Sequence, residues 1–166
     1  MKQLSLVPPS RWWAWAFLLL AITPPLLAAG PEPLLIQSTL VWGTNDRQSS
    51  DPTHRPVSPE MLPLLRSSPL RWTNYFEIKH AVTSLTNGET RVVVMSEHCK
   101  VEFKNLGGDL VEAKLLGDNK PIGTRKEKLK TDWTVVLAGP AEHDTAWLVV
   151  YKKASPTNKL DTVRAP

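Results

Sequence analysis

The sequence predicts a mainly β protein, an antiparallel β-sandwich or partly closed barrel of about eight strands with one short helix, after an N-terminal signal segment. The first observation is that apolar and polar residues alternate in short runs from residue 70 to 152, with turn residues between the runs. The second is that no helix-length pattern separates these runs. Parallel βαβ units are therefore not expected.

The N-terminus has the order of a secretory signal peptide. Lys2 and Arg11 precede an uncharged apolar stretch that ends in Ala28, Ala29 and Gly30. We therefore interpret residues 1–29 as a signal peptide. A proline pair within the stretch disfavours a continuous membrane helix. The apolar run is nevertheless close to the length that crosses a bilayer, so an uncleaved anchor stays an alternative.

The rest of the chain divides into a leader at residues 30–33, a β-sandwich domain at 34–153 and a flexible tail at 154–166. The domain is long enough for one hydrophobic core. Cleavage after residue 29 would remove two positive charges and lower the formal net charge from +4 to +2. Such a weak excess argues against nucleic acid as a partner.

The first half of the domain contains one strand, a long loop and the helix. Alternation in "LLIQSTLVW" predicts a strand over residues 34–42, and the polar residues 43–58 predict a loop. Ser58 is a suitable cap and Pro59 a suitable first helical residue, so we expect a short helix over residues 59–66.

The stretch "RWTNYFEIKHAVTSLTNGETRVVVM", residues 71–95, predicts a β-hairpin with a type I′ turn at Asn87-Gly88. Alternation places His80 on the inner face, where either Asn74 is its hydrogen-bond partner or one of these two residues marks a bulge. It places Tyr75 on the opposite, outward face, where an aromatic ring is available to a ligand.

The second half predicts further strands joined by tight turns. "CKVEFKN" directs Cys99, Val101 and Phe103 inward, "LVEAKLL" follows a glycine turn, and "TRKEKL" has the polar character of an edge strand. "WTVVLA" and "AWLVVYK" are the last two strands. Trp147 or Tyr151 is a further candidate for an outer face.

The chain contains none of the common catalytic or nucleotide-binding motifs. Cys99 is its only cysteine and follows His98 directly. Adjacent strand residues point to opposite faces, so these two should not form a thiol–imidazole dyad. We assign no catalytic residue, no cofactor and no metal site.

One loop carries residues of the types that bind metals: Glu142, His143 and Asp144. Asp46, Asp51 and His54 in the long loop are possible additional ligands. The favoured interpretation is a solvated turn, and a metal-assisted hydrolase remains an alternative function.

A basic segment lies at residues 120–130. Its basic residues form a speculative binding site for acidic headgroups, a glycan or nucleic acid. Tyr75 is included as a further candidate of this site. The favoured alternative is that exposed lysines guard an edge strand against unwanted pairing. The basic residues are Lys120, Arg125, Lys126, Lys128 and Lys130.

Together these features predict an exported, non-enzymatic binding or assembly module, periplasmic or extracellular. Its specificity would lie in the loops 43–58 and 138–145 and in the basic segment 120–130. The expected partner is a protein or another envelope component, and membrane contact is expected only through an uncleaved N-terminal segment. A membrane-anchored subunit of an envelope complex is the other alternative.

Overall fold

The computed structural model describes residues 32–49, 51–68, 70–132, 134–140 and 145–155. Within these ranges the chain is mainly β, with two antiparallel sheets and one helix, which confirms the predicted sandwich class. The predicted signal segment, the loop residues 141–144 and the tail from residue 156 lie outside the described residues. The elements are β1 (Leu34–Thr44), β2 (Arg55–Pro56), α1 (Met61–Ser67), β3 (Asn74–Leu85), β4 (Thr90–Val94), β5 (Cys99–Gly107), β6 (Leu110–Gly117), β7 (Lys120–Lys128), β8 (Val135–Pro140) and β9 (Ala146–Lys153).

Five strands form the first sheet, in the order β2-β3-β1-β9-β8. The central strand β1 has no exposed residue. β9 pairs with both β1 and β8, so the last two predicted strands are adjacent. Ala154, just after β9, is buried and its N–H donates to the carbonyl of Leu35 at 2.8 Å.

Four strands form the second sheet, in the order β4-β5-β6-β7. Its two tight turns have positive φ at both central residues, Gly108-Asp109 (57° and 67°) and Asp118-Asn119 (50° and 63°). This is the geometry of type I′ turns, which match the twist of antiparallel strands. β7 lies at the sheet edge, as the sequence predicts.

The main core lies between the two sheets. Phe103 of β5 and Tyr151 of β9 meet edge to face there, with ring centroids 5.2 Å apart. Cys99 is buried among these residues, as predicted, with an exposed fraction of 2%. The inward residues of both sheets complete the cluster: Leu34, Ile36, Leu40, Leu85, Met95, Val101, Val111, Ala113, Leu115, Leu129, Val135 and Val149.

A second core covers the other face of the five-stranded sheet. There α1 and Val57 pack on Val41, Leu148 and Val150. The helix begins close to the predicted place, where Ser58 accepts hydrogen bonds from the backbone of Met61 and Leu62. No helix in the described ranges has the length and apolar character needed to cross a bilayer.

The second core overturns the predicted position of Tyr75. Its side chain was expected to face outward but is buried, with an exposed fraction of 3%. Tyr151 is buried too, at 1%. Alternation in this sheet cannot separate inside from outside, because α1 covers one face and the four-stranded sheet covers the other.

The hairpin predicted over residues 71–95 is wrong. β3 and β4 belong to different sheets, and at the connection only Gly88 has positive φ, at 79°. The backbone of the connection pairs with β5 instead, because Gly88 N donates to Asn105 O and Asn105 N donates to Glu89 O, both at 2.9 Å. These bonds direct the return strand to the second sheet.

A β-bulge overturns the predicted position of His80. Leu40 pairs with Lys79 and Val41 with Glu77, which leaves Ile78 as the extra residue of β3. The bulge reverses the alternation beyond Ile78, so His80 is exposed. Its Nδ1 lies 3.2 Å from Thr39 Oγ1 rather than near Asn74.

Candidate binding site

The predicted specificity loops leave the five-stranded sheet at the same end. Gly43 near the end of β1 and Pro140 at the end of β8 both pair with Ala146 at the start of β9. The loop after β1 and the loop between β8 and β9 therefore start side by side. The turn before β5 reaches the same end, since His98 and Cys99 line a cleft there together with Trp42 of β1.

This end cleft has a volume of about 270 Å³. Its walls are mainly apolar and aromatic, and its rim is polar. The Trp42 indole meets His54 edge to face at a centroid distance of 6.0 Å and lies 6.3 Å from Phe76. The lining residues are Leu40, Trp42, His54, Ile78, Ser96, His98, Cys99 and Trp147.

Two glycines make room for the Trp147 ring. Gly139 pairs with Trp147 across the strands, and a Cβ on Gly139 would lie 2.2 Å from the ring. A Cβ on Gly117 of the other sheet would lie 3.2 Å from the same ring. The indole, half-buried, therefore spans both sheets as one wall of the end cleft. The sequence contains both residues, but only the register of β8 and β9 shows that Gly139 lies opposite Trp147.

A hydrogen-bonded loop holds His54 at the rim. Its Nδ1 lies 2.7 Å from Ser49 Oγ, and its Nε2 lies 3.5 Å from an Asp51 carboxylate oxygen. Asp51 in turn accepts hydrogen bonds from the hydroxyl and backbone N–H of Thr53, at 2.7 and 2.8 Å. These bonds lower the pKa of Asp51, with the hydroxyl as the larger cause.

His98 and Cys99 line the same cleft but do not form a dyad, which confirms the prediction. His98 is largely exposed, and its Nδ1 lies 2.7 Å from Asp118 Oδ1. That hydrogen bond raises the pKa of His98. Burial raises the pKa of the Cys99 thiol to about 12, which keeps it protonated and unreactive at neutral pH. No hydrogen bond between the two side chains occurs among the described contacts.

The predicted basic residues lie on or just after β7, and all five are exposed. They do not share one face. Arg125 stands opposite the buried Ala113 and pairs with Glu127 at 3.2 Å, whereas Lys126 stands opposite Glu112 and pairs with it at 3.0 Å. The side chain of Tyr75 is enclosed beneath α1 and is not brought to them.

Of the possible metal ligands, only His54 and Asp51 lie together in the part of the chain that the structure describes, where no three His, Cys, Asp or Glu side chains could hold one ion. The Asp46 carboxylate accepts a hydrogen bond from the Thr44 hydroxyl at 3.2 Å. Glu142, His143 and Asp144 lie outside the described residues.

A wider groove of about 780 Å³ runs beside β8, where the seven-residue α1 leaves part of the sheet uncovered. Residues of α1 and β8, among them Met61, Leu64 and Val136, line it together with Arg125 and Tyr151. The Tyr151 hydroxyl is buried and has no hydrogen-bond partner among the described residues. Burial raises the pKa of that hydroxyl above its ordinary value.

Comparison with known proteins adds no relative: no family model, no curated protein and no solved structure matches the chain.

Proposed function

We propose that the protein is an exported, non-enzymatic binding module that captures an apolar side chain of a partner protein in the end cleft. The observation that carries the proposal is the pair of half-buried tryptophans, Trp42 and Trp147, facing a small apolar cleft where the specificity loops begin. Exposed aromatic surface of this kind is enriched at protein interfaces because it supplies large contact area with little loss of conformational entropy.

The size of the cleft supports a small occupant. Pockets for drug-sized ligands and cofactors have volumes of roughly 300–1,000 Å³. The end cleft, at about 270 Å³, lies just below that range. It suits one aromatic or branched aliphatic side chain, inserted as the anchor of a larger interface.

The polarity of the cleft favours a protein over a glycan. A bound sugar needs several hydrogen-bonding groups around its ring, and here the polar lining side chains, apart from the Cys99 thiol, are His54, Ser96 and His98. Two of them, His54 and His98, already bond to Ser49 and Asp118. The buried, protonated thiol of Cys99 supports a non-covalent role.

Selection from a displayed peptide library against the purified full chain tests the proposal. We expect the bound peptides to share an aromatic or large aliphatic residue, and Trp42→Ala to weaken their binding at least about tenfold, as for an interface anchor. Trp72→Ala is the matched control, because Trp72 is a partly buried tryptophan that packs on the second core and beside Gly43 and does not line the end cleft. Circular dichroism checks that both variants fold.

Two outcomes would refute the cleft as the binding site. One is a set of selected peptides without a common apolar residue. The other is an equal loss of binding in Trp42→Ala and Trp72→Ala. The proposed export is tested separately, by N-terminal sequencing of the protein recovered from its host. A chain that begins after residue 29 or 30 supports it, and an intact N-terminus contradicts a cleaved signal.

A further inference from the structure

The outer face of the four-stranded sheet carries five lysines. Inward residues of β5 and β6 are buried, and the residues between them point to solvent. The register places the outward residues of β5, β6 and β7 side by side, for example Lys104 beside Glu112 and Glu112 beside Lys126. We call this surface the lysine face; its charged members are Lys100, Glu102, Lys104, Glu112, Lys114, Lys126 and Lys128.

Positive charge is in excess on the lysine face. Five lysines against two glutamates give a formal charge of +3, compared with +4 for the whole chain. Lys126 is neutralised by Glu112 at 3.0 Å, and Lys100 donates to Asn119 Oδ1 at 2.7 Å. Lys104, Lys114 and Lys128 form no ion pair with another described residue. Their charges are therefore available to an external anion.

Protection of an edge strand does not explain the whole lysine face. An edge lysine blocks pairing with another chain, and this applies to Lys126 and Lys128 on β7. Lys100 and Lys104 lie on β5 and Lys114 lies on β6. Both of these strands are paired on each side, so they have no edge to protect.

Exposed aliphatic side chains border the lysine face. Val92 and Val94 of β4 are each 49% exposed, and Leu106 and Leu110 at the turn between β5 and β6 are 37% and 38% exposed. By register, the two valines stand beside Glu102 and Lys100, and Leu110 stands beside Lys128. Lysines and aliphatic residues thus share one face of the sheet.

We propose that the lysine face docks on a lipid bilayer whose headgroups are anionic. Lysines are attracted to such a surface, and bordering aliphatic side chains can enter the boundary between headgroups and acyl chains. A nucleic-acid strand would instead need aromatic rings for base stacking, and none of the described outward residues of this sheet is aromatic. This contact is independent of the end cleft and of the N-terminal segment.

Vesicle co-sedimentation with the full chain tests the proposal. We compare pure phosphatidylcholine with vesicles that contain about 30% phosphatidylglycerol, because each net charge should raise binding to the anionic surface about fivefold. Three net charges predict an increase of about 100-fold. Lys104→Glu combined with Lys128→Glu changes the formal charge of the lysine face from +3 to −1. This double variant should abolish the increase in binding to anionic vesicles. Sodium chloride well above about 0.1 M should abolish it as well.

The control changes the same net charge elsewhere. Arg66→Glu with Arg71→Glu alters two exposed residues at and beyond the end of α1, on the helix-covered side of the five-stranded sheet, and should retain most of the increase. Equal loss in the two double variants would overturn the proposal, because overall charge would then explain the binding. Salt-resistant binding that ignores lipid charge would also overturn it, as would binding to duplex DNA but not to anionic vesicles.

Discussion

The His98 imidazole is held by one carboxylate at the rim of the end cleft. Its pKa is raised mainly by the hydrogen bond to Asp118, whose charge adds a further contribution, and Glu97 contributes least. We expect its pKa in the folded protein to exceed the ordinary value of about 6.5. Asp118→Asn should lower it, since asparagine keeps the turn conformation but carries no charge. NMR titration of the imidazole protons measures both values.

Glu97→Gln is the control for that titration and should shift the pKa of His98 much less than Asp118→Asn. A pKa at or below the ordinary value in the unaltered chain would contradict the assigned ion pair. The sign of the linkage follows from the raised pKa. The stabilisation from His98 is fully present below its unfolded pKa and is lost as pH rises through the folded pKa.

At the scale of elements, the sequence predicts the longer strands and the short helix. It does not predict β2, which lies within the predicted loop, nor how β3 continues. Strict alternation in β5 and β6 identifies the inward residues, because one face of their sheet meets water. In β3 the bulge at Ile78 reverses the alternation within the strand. A bulge depends on the partner strand, so the residues of β3 alone do not reveal it.

The Asn105 side chain forms hydrogen bonds that stabilise the connection between the two sheets. Its side-chain Nδ2 donates to Leu85 O at 3.2 Å, and its Oδ1 accepts from Gly107 N at 2.9 Å. Asn105→Ala leaves the carbonyl of the buried Leu85 without this partner and should lower the free energy of unfolding by about 1–3 kcal/mol. Urea denaturation measures the change.

Asn87→Ala is the matched control, because Asn87 is an exposed asparagine in the same connection. It should change the free energy of unfolding by less than about 0.5 kcal/mol. Similar effects of the two substitutions would show that the hydrogen bonds of Asn105 do not hold the crossing between the sheets.

At the scale of the whole molecule, the packing of α1, the five-stranded sheet and the four-stranded sheet determines which residues are buried and which meet in the end cleft. Sequence patterns alone do not predict this packing. The sandwich class follows from short alternating strands that are separated by turn residues. The burial of Tyr75 depends on α1 packing over the outer face of the five-stranded sheet, which alternation cannot reveal. The end cleft likewise combines residues from β1, the long loop, β3, the turn before β5 and β9. Its parts are visible in the sequence, but their proximity is a property of the fold.

Cys99 reports on the integrity of the entire sandwich, because its thiol lies in the core that the two sheets form together. With a pKa of about 12, almost no thiolate exists in the folded protein near pH 8, whereas an unfolded thiol with a pKa of about 8.5 ionises readily. We expect the thiol to resist a disulfide reagent in the native state and to react fully in concentrated urea.

A Thr124→Cys variant supplies the control, because residue 124 is exposed on β7 and its thiol should react at once in the folded chain. At intermediate urea, the rate of Cys99 labelling should give the same free energy of unfolding as tryptophan fluorescence, since exposure requires the two sheets to separate. Because folding raises the pKa of this thiol, stability should also fall as pH rises from about 8.5 towards 12. Rapid native labelling would mean that the reagent reaches the thiol through the end cleft that Cys99 lines, without separation of the two sheets.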